Sequence, residues 1–346
     1  MRYSLGQERR VVGVAVVMAS LALSACGGGG GGGGGGDVIA RPGGPTPPAT
    51  QGLTTDNFLE VAAVAFGFTG LLIASVEETF DSFGAGTGTG PISATSPALC
   101  DSGSGTITIN FGDGVTLMAG DTVLQTFNNC VRSFADGSRS RVSGEALFEV
   151  LSVSGVRAPG NAFEITTRSS ATNLVSEELA GPEQGDVNIS DGDQTTATSN
   201  DGVRETTVIT TENGLSLTTL AETIRLVYQL VESRQTQDSG NNTIAFSSDH
   251  NFQLTTARTN GSFATDTTQT FVTLSGPELT EEDGVPILRP TTGAQVTTDG
   301  RGASVSLTAL PDGGQAEIVL DLNGDTIPEA SQIVSFQQLE AIIDAL

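Results

Sequence analysis

Four oxygen-bearing side chains stand close together near the end of the chain. In "DLNGDTIPE", Asp321, Asn323 and Asp325 hold positions one, three and five of a calcium loop, with Glu329 at position nine. Calcium takes six to eight oxygens, and alternate positions of a tight loop converge to supply them. Two departures weaken the match. Thr326 replaces the glycine of position six, and Gln332 stands where a bidentate glutamate belongs. An Asn-Gly hairpin turn has the same letters and needs no metal. The plain turn is the expected reading, and bound Ca2+ the alternative.

His250 is the only histidine. A serine or cysteine nucleophile with an imidazole base must therefore use it. Its surroundings, "SSDHN", are polar and predict an exposed strand end or turn, not a catalytic base. The chain has no G-x-S-x-G and no histidine-based zinc motif. It has no lysine at all, which excludes a P-loop. Forty acidic residues could hide a glycosidase pair, but no spacing selects one. The expectation is a protein without catalytic activity.

Three cysteines remain to be placed. Cys26 ends the stretch "LSAC", which follows the uncharged apolar run of residues 11–25. Arg2, Arg9 and Arg10 precede that run. A basic start, 7–15 apolar residues and a small-residue cleavage site read as a secretory signal. The run is short for a permanent membrane span, which needs about 20 apolar residues. Leu23-Ser24-Ala25-Cys26 resembles the lipobox of bacterial lipoproteins. That resemblance implies cleavage before Cys26, diacylglycerol on its thiol and an acylated amino terminus. Gly27 in place of Asp resembles the class sorted to the outer membrane. An ordinary secretory site with an incidental cysteine is the alternative. With Cys26 lipidated, Cys100 and Cys130 are left as a pair, and an oxidising periplasm favours their disulfide over two free thiols.

Ten consecutive glycines follow Cys26, and a Pro-rich stretch follows them. Glycine has nothing to bury and loses the most entropy on folding, so residues 26–55 are expected to be a disordered tether. Ten glycines span roughly 17 Å as a coil, enough to stand a folded body clear of lipid headgroups.

The body is acidic. The net charge is −25, and removing residues 1–25, with three arginines and one glutamate, makes it −27. Such a body is repelled by nucleic acid and by anionic lipid, so no nucleic-acid partner is expected. Its Thr, Ser, Gly and Asp favour short strands and turns.

Two kinds of periodicity position these residues. Leu59, Ala62, Phe66, Thr69, Ile73, Val76 and Phe80 recur at steps of three and four, and further apolar residues fill the other faces. This predicts a buried helix over residues 56–84, covering a sheet and not lying in a membrane. Asn57 and Glu60 have capping-box spacing. Beyond residue 95 the period is two: Ile107, Ile109 and Phe111; Ile224, Leu226, Tyr228 and Leu230; Phe252 and Leu254; Val305, Leu307 and Ala309; Ile318, Leu320 and Leu322. Gly/Asp/Asn turns separate the runs. The fold class is therefore mainly β, a long antiparallel meander of ten or more strands. It is curled or partly closed and packed on the N-terminal helix. Residues 276–300 look like a long polar loop. A hairpin and a short helix end the chain, Ser335 and Gln338 forming a second capping-box pair.

With "LSAC" plus glycine, "TTDNFLEVAAVAF", "AGDTVLQTFNNC" and "IVLDLNGDTIPEASQIVSFQQL", the layout resembles a group of Gram-negative envelope lipoproteins of no established activity. The resemblance implies outer-membrane or periplasmic location and lends no catalytic site. Two function classes stay open. One is a lipid-anchored structural or interaction protein of the envelope. The other is a carrier holding an apolar ligand between curved sheet and helix. The partner or ligand is not specified by either.

Overall fold

The computed structural model describes residues 52–69, 92–98, 100–112, 117–134, 137–155, 161–181, 184–211, 216–220, 225–274 and 289–346. Cys26, the tether up to residue 51 and the later part of the expected helix lie outside the described residues.

Helix α1 covers residues 58–69. Val61, Ala63 and Ala65 are fully buried, and Phe58, Phe66 and Phe68 nearly so, as an all-round apolar helix requires. Its start differs from the expected capping box. The Asn57 side chain accepts from the Thr54 amide at 2.8 Å and donates to the Gly52 carbonyl at 2.9 Å. The Glu60 carboxylate accepts from the Thr256 hydroxyl at 2.7 Å. Asn57 is thus turned toward the loop just before the helix and Glu60 toward a tertiary partner, and these contacts replace the reciprocal cap.

The strands follow in chain order. They are β1 (Ile92–Pro97), β2 (Ser102–Phe111), β3 (Thr122–Ser133), β4 (Arg139–Gly155), β5 (Ala162–Ala180), β6 (Val187–Asp201), β7 (Arg204–Thr210) and β8 (Ser216–Leu220). Then come β9 (Arg225–Asp238), β10 (Thr243–Thr255), β11 (Asn260–Leu274), β12 (Thr292–Asp299), β13 (Ser304–Ala309), β14 (Gln315–Asp321) and β15 (Ala330–Ser335), and helix α2 (Phe336–Asp344) closes the chain. All described pairings are antiparallel between chain neighbours, apart from β7 and β8. Those two share one place in the sheet. β7 pairs with Thr195–Asn200 of β6 and β8 with Val187–Asp191, and both lie against β9. The stretch expected to be a loop over 276–300 contains β12, whose inward face is Gly293, Gln295, Thr297 and Asp299 and whose other face carries Ala294 and Val296. Its polarity hid a strand.

The sheet curves. Fourteen strand positions would span roughly 60 Å if laid flat, whereas α1 is only about 18 Å long. Yet one continuous core joins α1 to side chains from β2 through β15, including Ile107, Phe148, Ile165, Tyr228, Phe271, Leu307, Ile318 and Val334. A sheet curled over the helix accounts for both. The wrap stops short of closure: β1 and β15 are the two ends of the strand order and do not pair with each other. Outward positions are chiefly polar, as in Glu164, Thr166 and Arg168 of β5, while Phe163, Ile165 and Thr167 face in. Among the described residues, no helix is long and apolar enough to cross a membrane.

Helix α2 has the expected capping box. Ser335 accepts from the Gln338 amide at 3.1 Å, and the Gln338 side chain accepts from the Ser335 amide at 2.8 Å. Its Phe336 packs on Phe66 with ring centroids 5.0 Å apart. Gly67 permits the two helices to approach, since a Cβ there would lie 2.7 Å from Ile343 Cδ1.

Candidate functional site

The DLNGD loop joins β14 to β15. Its acidic side chains turn toward the loop's own amides. Asp321 Oδ1 accepts from the Asn323 and Gly324 N–H at 3.1 and 2.7 Å, and its Oδ2 accepts from Thr326 at 2.9 Å. Asn323 Oδ1 accepts from Asp325, and Asp325 Oδ1 from Ile327. Glu329 folds back to accept from the Leu322 amide at 2.7 Å and the Asn323 side chain at 3.1 Å. Burial pushes the Asp321 carboxyl up, but the amides of Gly324, Thr326 and Asn323 outweigh it and hold the group below its ordinary range. Thr326 takes φ +68°, the left-handed conformation that glycine usually supplies at this point. The structure thus brings the four predicted residues together as a hydrogen-bonded turn. Among the described residues, no three His, Cys, Asp or Glu side chains cluster as metal ligands would.

Cys100 and Cys130 form a disulfide with Cα atoms 5.2 Å apart. Cys100 lies between β1 and β2, and Cys130 is fully buried in β3. The bond ties the first edge of the sheet to its third strand, where Asp101 N also donates to the Val131 carbonyl at 2.7 Å. The bridged residues are 30 apart in sequence, so chain-entropy arithmetic gives roughly 3–4 kcal/mol. Replacing both cysteines by serine is expected to lower unfolding free energy by about that amount. Denaturant titration of the reduced and oxidised protein checks it. A change below about 1 kcal/mol would mean that the edge frays independently of the rest.

His250 corrects an expectation. It is neither exposed nor in a turn: it sits within β10 and is 1% exposed. The alternation of β10 runs unbroken, so Phe246, Ser248, His250 and Phe252 all point at the core, and the extra residues at the register shifts stand on β9 and β11. The imidazole lies 5.3 Å from the Tyr228 ring and 5.8 Å from that of Phe68. Its Nδ1 is 3.3 Å from Ser248 Oγ, and its Nε2 has no hydrogen-bond partner among the described residues. Burial pushes its pKa down to about 3. Burial also raises that of Tyr228, offset in part by Ser248. The Ser248–His250 contact is sealed from solvent on both sides, so it is a core contact and not a presented nucleophile.

The outer face holds a feature that alternation alone did not reveal. A groove of about 300 Å3 crosses β9 to β12. Gln229 stands opposite Asn251, Asn251 opposite Ala264 and Ala264 opposite Thr298; in the next row Val227 faces Gln253, and Gln253 faces Ser262. The small side chains of Ala264 and Ser262, with Gly300, leave the floor low, and the amides rise around it. Every lining residue is uncharged. In the sequence these positions are simply the water-facing half of each strand. Their cross-strand register makes them a unit, and register was not readable.

No family model matches the chain, and no curated protein or solved structure shows significant similarity to it.

Proposed function

We propose that the chain is a lipid-anchored protein of the outer membrane, fastened through Cys26, with a non-catalytic structural or interaction role in the envelope. The "LSAC" stretch at the end of an apolar run, and the glycine tether behind it, support the anchor. Two or three acyl chains on one thiol hold durably, whereas one holds only marginally.

The choice between offering a surface and holding a ligand rests on one observation, the aromatic packing around α1. Phe68 stacks on Tyr228 at 4.3 Å, and Phe66 meets Phe271 at 5.4 Å and Phe336 at 5.0 Å. A carrier needs an apolar cavity of several hundred Å3, and here the helix's own rings occupy the space between it and β9–β11. This supports the outer surface as the working part of the molecule. The test is Cys26→Ser. The variant is expected to lose incorporation of labelled palmitate and to stop sedimenting with membranes. Continued labelling or unchanged sedimentation would overturn the anchor.

A further inference from the structure

The geometry points to the groove across β9–β12 as a binding site for a short neutral oligosaccharide. This deepens the interaction reading by naming what the outer surface engages, and the binding it asserts does not depend on the anchor.

The argument begins with the groups on offer. Gln229, Asn251 and Gln253 each present a carbonyl acceptor and an NH2 donor. Ser262 adds a hydroxyl that does both. None of these four side chains bonds to the protein among the described residues, so their capacity faces outward. Neighbouring strands are roughly 4.8 Å apart, which sets paired donors and acceptors at regular intervals across four strands. A chain of sugar hydroxyls is a ligand of that description: neutral, dense in groups that both donate and accept, and repeating. The buried Val227, 3% exposed, and Ala264 give an apolar floor for the C–H face of a ring.

Charge sharpens the choice of ligand. The chain carries −25, so anionic polymers are held off at long range. The groove itself contains no carboxylate to pair with a basic peptide, so the net charge does not direct such a peptide to this place. A neutral polyhydroxylated ligand avoids the repulsion and uses every exposed group. Backbone rigidity helps as well. The amides stand on central strands of a continuous sheet and not on loops, so little ordering is required on binding.

Saturation-transfer NMR on the full-length protein, in a sugar-free zwitterionic detergent, tests this. The probes are neutral tetrasaccharides of glucose and of N-acetylglucosamine, with a tetramer of galacturonic acid as the anionic comparison. At least one neutral probe is expected to bind, and the uronate is not. Asn251→Asp with Gln253→Glu removes two NH2 donors and installs two charges, and should weaken binding roughly tenfold or more. Gly300→Phe should block it by volume alone, because a Cβ at Gly300 meets nothing within 4 Å and the fold tolerates it. Circular dichroism confirms that both variants stay folded. The proposal is overturned if neither neutral probe binds, if the uronate binds as well as they do, or if the substitutions change nothing. Loss of the palmitate label in Cys26→Ser concerns the anchor alone and leaves this result unaffected.

Discussion

Between about pH 5.5 and pH 4.5 the protein is expected to lose roughly 1.4 kcal/mol of unfolding free energy per pH unit, and His250 is the reason. The imidazole has a folded pKa of about 3 against an ordinary 6.5. Within that window the unfolded chain binds one proton that the folded chain refuses, so stability rises with pH and is lost as pH falls. Among the described residues no counter-ion meets the ring. Its neighbours are the Tyr228 and Phe68 rings, Phe252 and the Ser248 hydroxyl. Three carboxyls add to the loss only lower, as pH falls toward and below their ordinary 3.8. Hydrogen bonds from the Arg204 and Val203 amides hold Asp201 down, the Arg204 side chain holds Asp238 down, and the loop amides hold Asp321 down. Falling net charge works in the opposite direction by easing self-repulsion. A His250→Gln variant shares that relief and lacks the imidazole. The difference in slope between the two proteins, from urea titrations at several pH values, isolates the one proton. Equal slopes would show that the ring is protonated in the folded state, and hence not buried as described.

That burial was legible only by carrying the period of Phe252 and Leu254 back two residues, and the local composition argues against doing so. The "SSDHN" run reads as polar at every position. Yet β10 alternates without a break: Phe246, Ser248, His250, Phe252 and Leu254 face in, while Asp249 points out to accept from the Thr267 amide at 2.9 Å. Where alternation was regular, prediction and structure agree: Phe252 and Leu254, Val305 and Leu307, and Ile318 and Leu320 are all buried. Caps divided along the same line. Ser335 and Gln338 cap an exposed helix start, where no competing partner exists, and the motif forms as spelled. Asn57 and Glu60 are buried; the loop before the helix took the first, and a tertiary partner, Thr256, took the second. The disulfide was reached by counting cysteines. The groove was not reached at all, because it depends on which outward residues stand side by side across four strands, and no single strand carries that information.

Phe271→Ala is expected to cost about 3–5 kcal/mol, because this ring joins three elements. It is fully buried, lies 5.4 Å from both Phe66 of α1 and Phe246 of β10, and covers Gly293 of β12. Gly293 takes φ +130°, and a Cβ there would overlap both the Phe271 ring and its backbone; the bare glycine is what permits the ring to lie flat across the neighbouring strand. Removing the ring therefore leaves a cavity between helix and sheet and uncovers the glycine backbone together. Neither loss is easily repaired, since β11 is held on both sides by β10 and β12. Phe66→Ala should cost a similar amount, and the double variant should cost less than the two singles added, by about 0.5–1.5 kcal/mol for the edge-to-face pair. Guanidinium titration of the four proteins supplies the cycle. A loss below about 1 kcal/mol for Phe271→Ala would mean that α1 is not seated in the curve of the sheet, and the interior would again have room for a ligand.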